Sequence, residues 1–472
     1  MKKILITFII LSSLSTISLA KETINTTNAD TLDLELVIYQ QNIALIKESR
    51  KKLLPKGNVY LNYLDVSSHL IPESVSISFF GQKNNLYLKE QLFSNTNALK
   101  NKLINKYIGK NVKIATYYLD GKKEILDAQL LGINNNLLFK IGNDIYTENP
   151  GVLVLPNYKD TIEVKSKITW LLTNETKGDS MFEISYLTKN ISWSADYNIT
   201  LNDSNSKAKL LGWATIYNNT NTDFKNASIS LIAGDLNIEQ ARDRGMYGNM
   251  MKLAASPEMS ASSLKQQKAF EYHLLDLDYK TDIAADQSKQ ISFISTQNID
   301  IEKKFIFQNQ QSHFYNSNNE EDISNASILV EFLNNDENWL GKPLPMGKVR
   351  FYQKDSNDKL IFIGEDILKN TPVNELIKMQ IGKAFDITMK RTQSDFKRLR
   401  NLSYETEWKL EIKNNKDEDI EVIINEAVPL GYKLIDSSEK HSKKDAKSIE
   451  FASKIMKKST KTLTYRVEIK NK

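Results

Sequence analysis

Few side chains in this sequence could hold a metal, move a proton or attack an electrophile. His69, His273, His313 and His441 are its four histidines, and no two lie at a metal-ligand spacing. His273 falls in residues 270–274, a stretch that reads as a strand. A general base there needs a partner that the sequence does not show, so a structural role is the simpler reading. The chain of 472 residues contains no cysteine, which removes disulfides, thiolate nucleophiles, iron–sulfur clusters and zinc–thiolate sites together. No Gly-x-Ser-x-Gly elbow, phosphate loop or dinucleotide fingerprint occurs.

Acids and aromatics come next. Asp196 is the most suggestive carboxylate, because Trp193 and Tyr197 flank it, and rings stack on sugars whose hydroxyls donate to carboxylates. Alternation in the same stretch puts Tyr197 with Ile199 and Leu201 on one face, and Asp196, Asn198 and Thr200 on the other. The aromatics are therefore expected in a core. A glycosidase needs two carboxylates roughly 5–9 Å apart, a distance that sequence does not reveal. The oxygen-rich runs 334–338 (NNDEN), 355–358 (DSND) and 414–419 (NNKDED) suggest calcium. None has the D-x-[DN]-x-[DN]-G spacing, and turn chemistry accounts for them. Met246, Met250, Met251 and Met259 crowd into one segment. Thioethers bind Cu(I), but a flexible segment or a soft docking patch is the simpler reading. Finally, Lys390, Arg391, Lys397, Arg398 and Arg400 lie in the run KRTQSDFKRLR. They are the candidates for binding a partner such as anionic headgroups or acidic polysaccharide. The competing reading is an edge strand whose charges block sheet-to-sheet pairing. No catalytic, cofactor or metal residue is assigned.

The elements that must carry these residues are strands. Residues 75–79 alternate strictly, as do 195–201, and 404–412 place Tyr404, Thr406, Trp408, Leu410 and Ile412 on one side. Residues 463–469 repeat the pattern. Residues 210–217 are apolar on both faces, which predicts a central strand. Five short strands between 103 and 156, with turns at Asp120-Gly121 and Gly142-Asn143, fit a small SH3-like or Sm-like barrel. Residues 239–268 are rich in Ala, Ser and Met and lack a strand period, which predicts a mobile insertion.

The first 20 residues, MKKILITFIILSSLSTISLA, join a basic start to a short apolar run and a small-residue site, the pattern of a secretory signal. The run is too short for a membrane span, which takes roughly 20 apolar residues. Loss of Lys2 and Lys3 lowers the net charge from +5 to +3, too mild to point to nucleic acid.

Several stretches, taken in their joint order, resemble one family. They are LVIYQQNIALIKESRKKLLPKG (36–57), ISWSADYNITL (191–201), LLGWATIYNNTNTDFKNASISLIAGDLN (210–237) and FEYHLLDLDYKTDI (270–283). PLPMGKVRFYQKD (343–355) and FIGEDILKNTP (362–372) belong with them. All are similar to bacterial exported proteins known only as domain of unknown function 4139. Longer, mucoidy-inhibitor-A-like relatives carry a coiled coil, where this chain has the small barrel. The resemblance implies architecture and export, and supplies no chemistry.

The expected fold is all-β and multi-domain: a β-sandwich, immunoglobulin-like, with a small barrel insert and a mobile loop. The expected division is a signal over 1–20, a tail over 21–34, a β module over 35–100 and the barrel over 101–156. A central sandwich over 157–389 and a C-terminal immunoglobulin-like sandwich over 390–472 complete it. The expected function is a non-catalytic scaffold of the bacterial envelope, periplasmic or extracellular, that binds a protein or polysaccharide. The alternative is a carbohydrate-active hydrolase with paired carboxylates. No cofactor, nucleic acid or transmembrane segment after signal removal is expected.

Overall fold

The computed structural model describes residues 22–80, 86–94, 99–117, 121–134, 136–148, 150–156, 166–234, 236–237, 264–269, 272–310, 314–318, 320–400 and 403–470. Three sheets share one large core. The first has four strands in the order Glu22–Thr26, Gly57–Leu64, Lys167–Asn174, Leu86–Ser94. The second has eight, running from Leu264–Ala269 through Tyr272–Leu277, Phe224–Ala233, Thr31–Tyr39, Ile43–Leu54 and Gly178–Lys189 to Ser76–Phe80, with Thr281–Ile283 beside Phe224–Ala233. The third has five, in the order Gln287–Asp300, Lys207–Asn218, Ile191–Leu201, Gly347–Lys354, Leu360–Leu368. Alternation explains how they meet. Along Ile191–Leu201 every odd residue is buried and every even one half-buried, so Trp193, Tyr197 and Ile199 face the core as expected.

The expected N-terminal module is not separate from the centre. Ile43–Leu54 pairs antiparallel with Gly178–Lys189, and Thr31–Tyr39 pairs parallel with Phe224–Ala233. A single apolar cluster consequently runs from Leu34 to Ile381. The small unit has its own core, built on Val112, Ile114, Leu130 and Phe139. Its five strands follow the order Asp144–Tyr146, Asn136–Ile141, Lys123–Asn134, Asn111–Tyr117, Val152–Val154, so the strand that ends the unit in the chain pairs with Asn111–Tyr117, the one that begins it. The helix Leu99–Lys106, whose Ile104 packs into that core beside Tyr107, was not foreseen, nor was the strand Glu22–Thr26, which lies in the expected tail 21–34 and pairs parallel with Gly57–Leu64. Of the expected insertion 239–268, residues 239–263 lie outside the described ones, and with them the four clustered methionines. Its end is a strand: Leu264–Ala269 pairs with Tyr272–Leu277 in a hairpin. Among the described residues no helix is long and apolar enough to cross a membrane.

The C-terminal unit is a nine-stranded sheet around a third core that includes Trp408, Phe451 and Tyr465. It starts upstream of residue 390. Glu302–Asn309 pairs parallel with Ile420–Ala427, and Asp322–Leu333 pairs with the 23-residue strand Leu376–Arg398. That long strand serves both cores: Ile377, Met379 and Ile381 enter the large one, Ile387 and Met389 the C-terminal one. Gly364, at φ +154°, lets Leu360–Leu368 lie against it, since a Cβ there would fall 1.9 Å from the Ile381 carbonyl oxygen.

Glu331 sits on this bridge. It is 6% exposed, and Lys304 Nζ (2.7 Å) and Lys378 Nζ (3.2 Å) reach it from the strands on either side. Burial alone would raise its pKa, but the two lysines outweigh burial and hold it below the ordinary 4.5. A depressed carboxylate stabilises the fold above its unfolded pKa, and that stability is lost as pH falls through the folded value. Glu331→Gln should lose on the order of 1 kcal/mol at neutral pH, a small figure because Lys378 is largely exposed. Urea midpoints of wild type and variant should converge well below pH 4.5; a constant gap would assign the effect to packing.

Candidate functional site

The outer face of the five-stranded sheet gathers the most functional chemistry. On Ile191–Leu201 the outward residues are Ser192, Ser194, Asp196, Asn198 and Thr200. Asp196 is therefore outside the core, as alternation requires, while Trp193 and Tyr197 are inside. Trp193 Nε1 donates to the Ile232 carbonyl (3.0 Å), and the Tyr197 hydroxyl donates to the Pro345 carbonyl (2.7 Å). The aromatic residue that does join Asp196 is Trp213, its cross-strand partner on Lys207–Asn218. The sequence reading placed 210–217 centrally and missed that Leu211, Trp213, Thr215 and Tyr217 form its outward side, on which Tyr217 is exposed, Leu211 and Trp213 half-buried and Thr215 buried. The available signal was the contrast with Leu210, Gly212, Ala214 and Ile216, which are aliphatic or small.

A polar network crosses all five strands on this face. Thr215 Oγ1 (3.1 Å) and Ser194 Oγ (3.3 Å) donate to Asp196 Oδ2, and Gln290 Nε2 donates to Thr215 Oγ1 (3.2 Å). Arg350 Nη1 lies 3.4 Å from Asp196 Oδ1, while its Nε lies 3.6 Å from Glu365 Oε2 on the last strand. Aromatic rings flank the network. Tyr217 is exposed on one side. On the other, Tyr352 and Phe362 meet edge to face at 5.8 Å. Leu360, Phe362 and Ile367 expose much of their surface on Leu360–Leu368, which pairs only with Gly347–Lys354 within its sheet.

A second polar site opens between the first two sheets. A cavity of about 290 Å³ is lined by Asn28, Asp65, Asn221, Asp223 and Lys225 among others. An adjoining one reaches Glu48 and Tyr186. Glu48 is not free for acid–base work. Arg50, fully buried, donates to both its oxygens (2.9 and 3.0 Å), the Tyr63 hydroxyl donates at 2.6 Å, and Thr31 donates as well. Asn28 Oδ1 and the Leu64 carbonyl take two further Arg50 N–H groups. Burial and the Glu48 charge push the Tyr186 hydroxyl well above the usual tyrosine range.

The basic run does not form one surface. Arg391 is 3% exposed, so it is corrected from partner-binding candidate to buried residue. Its Nε donates to Glu426 Oε2 (3.1 Å), and its guanidinium lies 3.5 Å over the Trp408 ring. Burial alone would lower its pKa; the Glu426 charge beside it more than reverses that. The reason for its burial is the strand period: Ile387, Met389 and Arg391 share the inward face. The edge-strand reading is corrected at Lys390 and Arg391, which are paired on both sides, whereas Lys397 and Arg398 pair only with Ser403–Asn414. Lys390 Nζ contacts Glu321 Oε1 (2.5 Å), and Lys397 Nζ contacts Asp395 Oδ2 (3.1 Å). Arg398 lies 6.0 Å from the Tyr404 ring centroid, and Arg400 is exposed.

The remaining sequence candidates have structural partners. His69 Nδ1 lies 3.1 Å from Ser68 Oγ, His441 meets Phe451 edge to face, and His273 pairs with Ala233 across two strands. His313 lies outside the described residues. The oxygen-rich runs are turns: Asp355 Oδ1 accepts from the N–H of Asn357 and Lys359, and the Asn414 amide donates to the Glu418 and Met456 carbonyls.

No curated protein matches the chain. A family model matches residues 182–471, which takes in the five-stranded sheet and the C-terminal unit and leaves out the small barrel. On that match, which covers more than half of the chain, the protein belongs to the family described as Domain of unknown function (DUF4139).

Proposed function

We propose that this protein is exported to the bacterial envelope and works there as a non-catalytic β scaffold. It holds a protein or polysaccharide partner on the outer face of the five-stranded sheet. The carrying observation is that face itself, where Tyr217, Tyr352 and Phe362 flank an Asp196–Arg350–Glu365 network. Exposed apolar residues on this face favour contact with another molecule, because covering them removes apolar surface from water. The carboxylates of the face are held in ion pairs across strands, an arrangement suited to orientation and specificity. Export to the periplasm or beyond is supported by the basic-apolar-small pattern of residues 1–20.

The test is capture from the envelope fraction of the source cells. Wild-type protein should retain a defined partner, and Phe362→Lys with Ile367→Lys should lose it at least about tenfold, the effect of roughly 1.4 kcal/mol at the interface. Both positions are exposed, so the melting temperature should not move. Equal capture by wild type and variant, or nothing above background, overturns the reading.

A further inference from the structure

The loop 334–341, between the long bridge strands and the five-stranded sheet, is tied down from inside. Asn334 is fully buried, and its Nδ2 donates to the carbonyls of Lys342 and Pro372, both at 2.8 Å. Asn338 is 5% exposed; its Nδ2 donates to the Leu333 carbonyl and its Oδ1 accepts from the Asp300 N–H, both at 2.9 Å. Leu340 is buried in the large core. Trp339 stands between these anchors and does the opposite. It is 74% exposed, and its φ is +56°. A left-handed conformation is uncommon for a bulky aromatic residue and favours glycine or asparagine. Nothing in the folding of the loop therefore selects tryptophan there, since the indole makes little internal contact and its backbone conformation is costly. Asp336 and Glu337 are exposed beside it at the same tip.

We propose that Trp339, with Asp336 and Glu337, is a docking tip for a lysine- or arginine-bearing segment of a protein partner. Tryptophan offers the strongest ring face for a cation, and the two carboxylates add attraction at longer range. The internal hydrogen bonds fix the loop before contact, which lowers the ordering cost of binding. The same carboxylates repel an anionic lipid surface or an acidic polysaccharide. The inference rests on the binding-scaffold reading and gives the chemistry of one contact, away from the Phe362 edge.

The chain has five tryptophans, of which Trp170, Trp193 and Trp408 are buried, so indole N–H signals distinguish Trp339. The purified protein, labelled with ¹⁵N at its indoles, is titrated with hexa-arginine and, in parallel, with hexa-glutamate. The expected result is a saturable shift of the Trp339 signal with hexa-arginine alone. Asp336→Asn with Glu337→Gln should weaken it about tenfold. Trp339→Asn should abolish peptide binding while the other four indole signals stay in place and the melting temperature holds or rises. Equal shifts with both peptides, or unchanged affinity in the charge variant, overturn the proposal. If Trp339→Asn still captures the envelope partner that Phe362→Lys loses, the docking tip fails and the scaffold reading stands.

Discussion

Replacing Glu426 by alanine is expected to cost about 3–5 kcal/mol, a large part of the roughly 5–15 kcal/mol that holds a domain together. Glu426 is fully buried and accepts from Arg391 Nε (3.1 Å), the Tyr465 hydroxyl (2.8 Å) and the Asn309 amide. Its removal leaves the Arg391 charge inside a low-dielectric core, with the Trp408 and Phe314 rings and the Tyr465 hydroxyl beside it and no carboxylate to balance it. The effect comes from the stranded charge more than from the lost contacts. The double variant Arg391→Met, Glu426→Leu should therefore recover part of the stability, because no charge is left to solvate, while the Tyr465 hydroxyl and the Asn309 amide still lose their acceptor. Urea denaturation of the three proteins decides this. A loss below about 1 kcal/mol in Glu426→Ala would mean that water reaches the guanidinium. The large core uses the same device, with Glu48 between Arg50 and the Tyr63 hydroxyl and the Arg50 guanidinium 3.6 Å over the Tyr63 ring.

Trp193→Ala should cost a further class of energy, about 3–5 kcal/mol, through an unfilled cavity. Trp193 is 2% exposed at the centre of Ile191–Leu201, among residues from the second and third sheets. Trp193→Phe separates two contributions. It keeps most of the buried ring but leaves the Ile232 carbonyl without the indole donor at 3.0 Å, a loss of about 1–3 kcal/mol. Thermal or urea unfolding should rank the proteins wild type, Phe, Ala. A Phe variant as unstable as Ala would show that the hydrogen bond, and not packing, holds the sheets there.

The strand content and the inward residues were legible because a strand has a period of two. Residues 191–201, 404–412 and 463–469 alternate, and their apolar sides are buried. The same period, applied to Ile387, Met389 and Arg391, already points Arg391 inward, but its charge argues for the surface until Glu426 and Trp408 are seen to receive it. The helix Leu99–Lys106 was less legible, since eight residues with three apolar side chains give a weak signal.

The sequence by itself determined the all-β class, the turns, and the outward placement of Asp196, because each follows from local backbone geometry and alternation. It also determined the chemistry unavailable to a chain without cysteine. Only the tertiary structure decided that Ile43–Leu54 pairs with Gly178–Lys189, that Trp213 faces Asp196, and that Arg350 lies between Asp196 and Glu365. Those contacts join residues more than a hundred positions apart, or depend on the register between strands. Such registers are set by how the apolar faces of whole sheets fit together, a property that no single stretch of the chain carries.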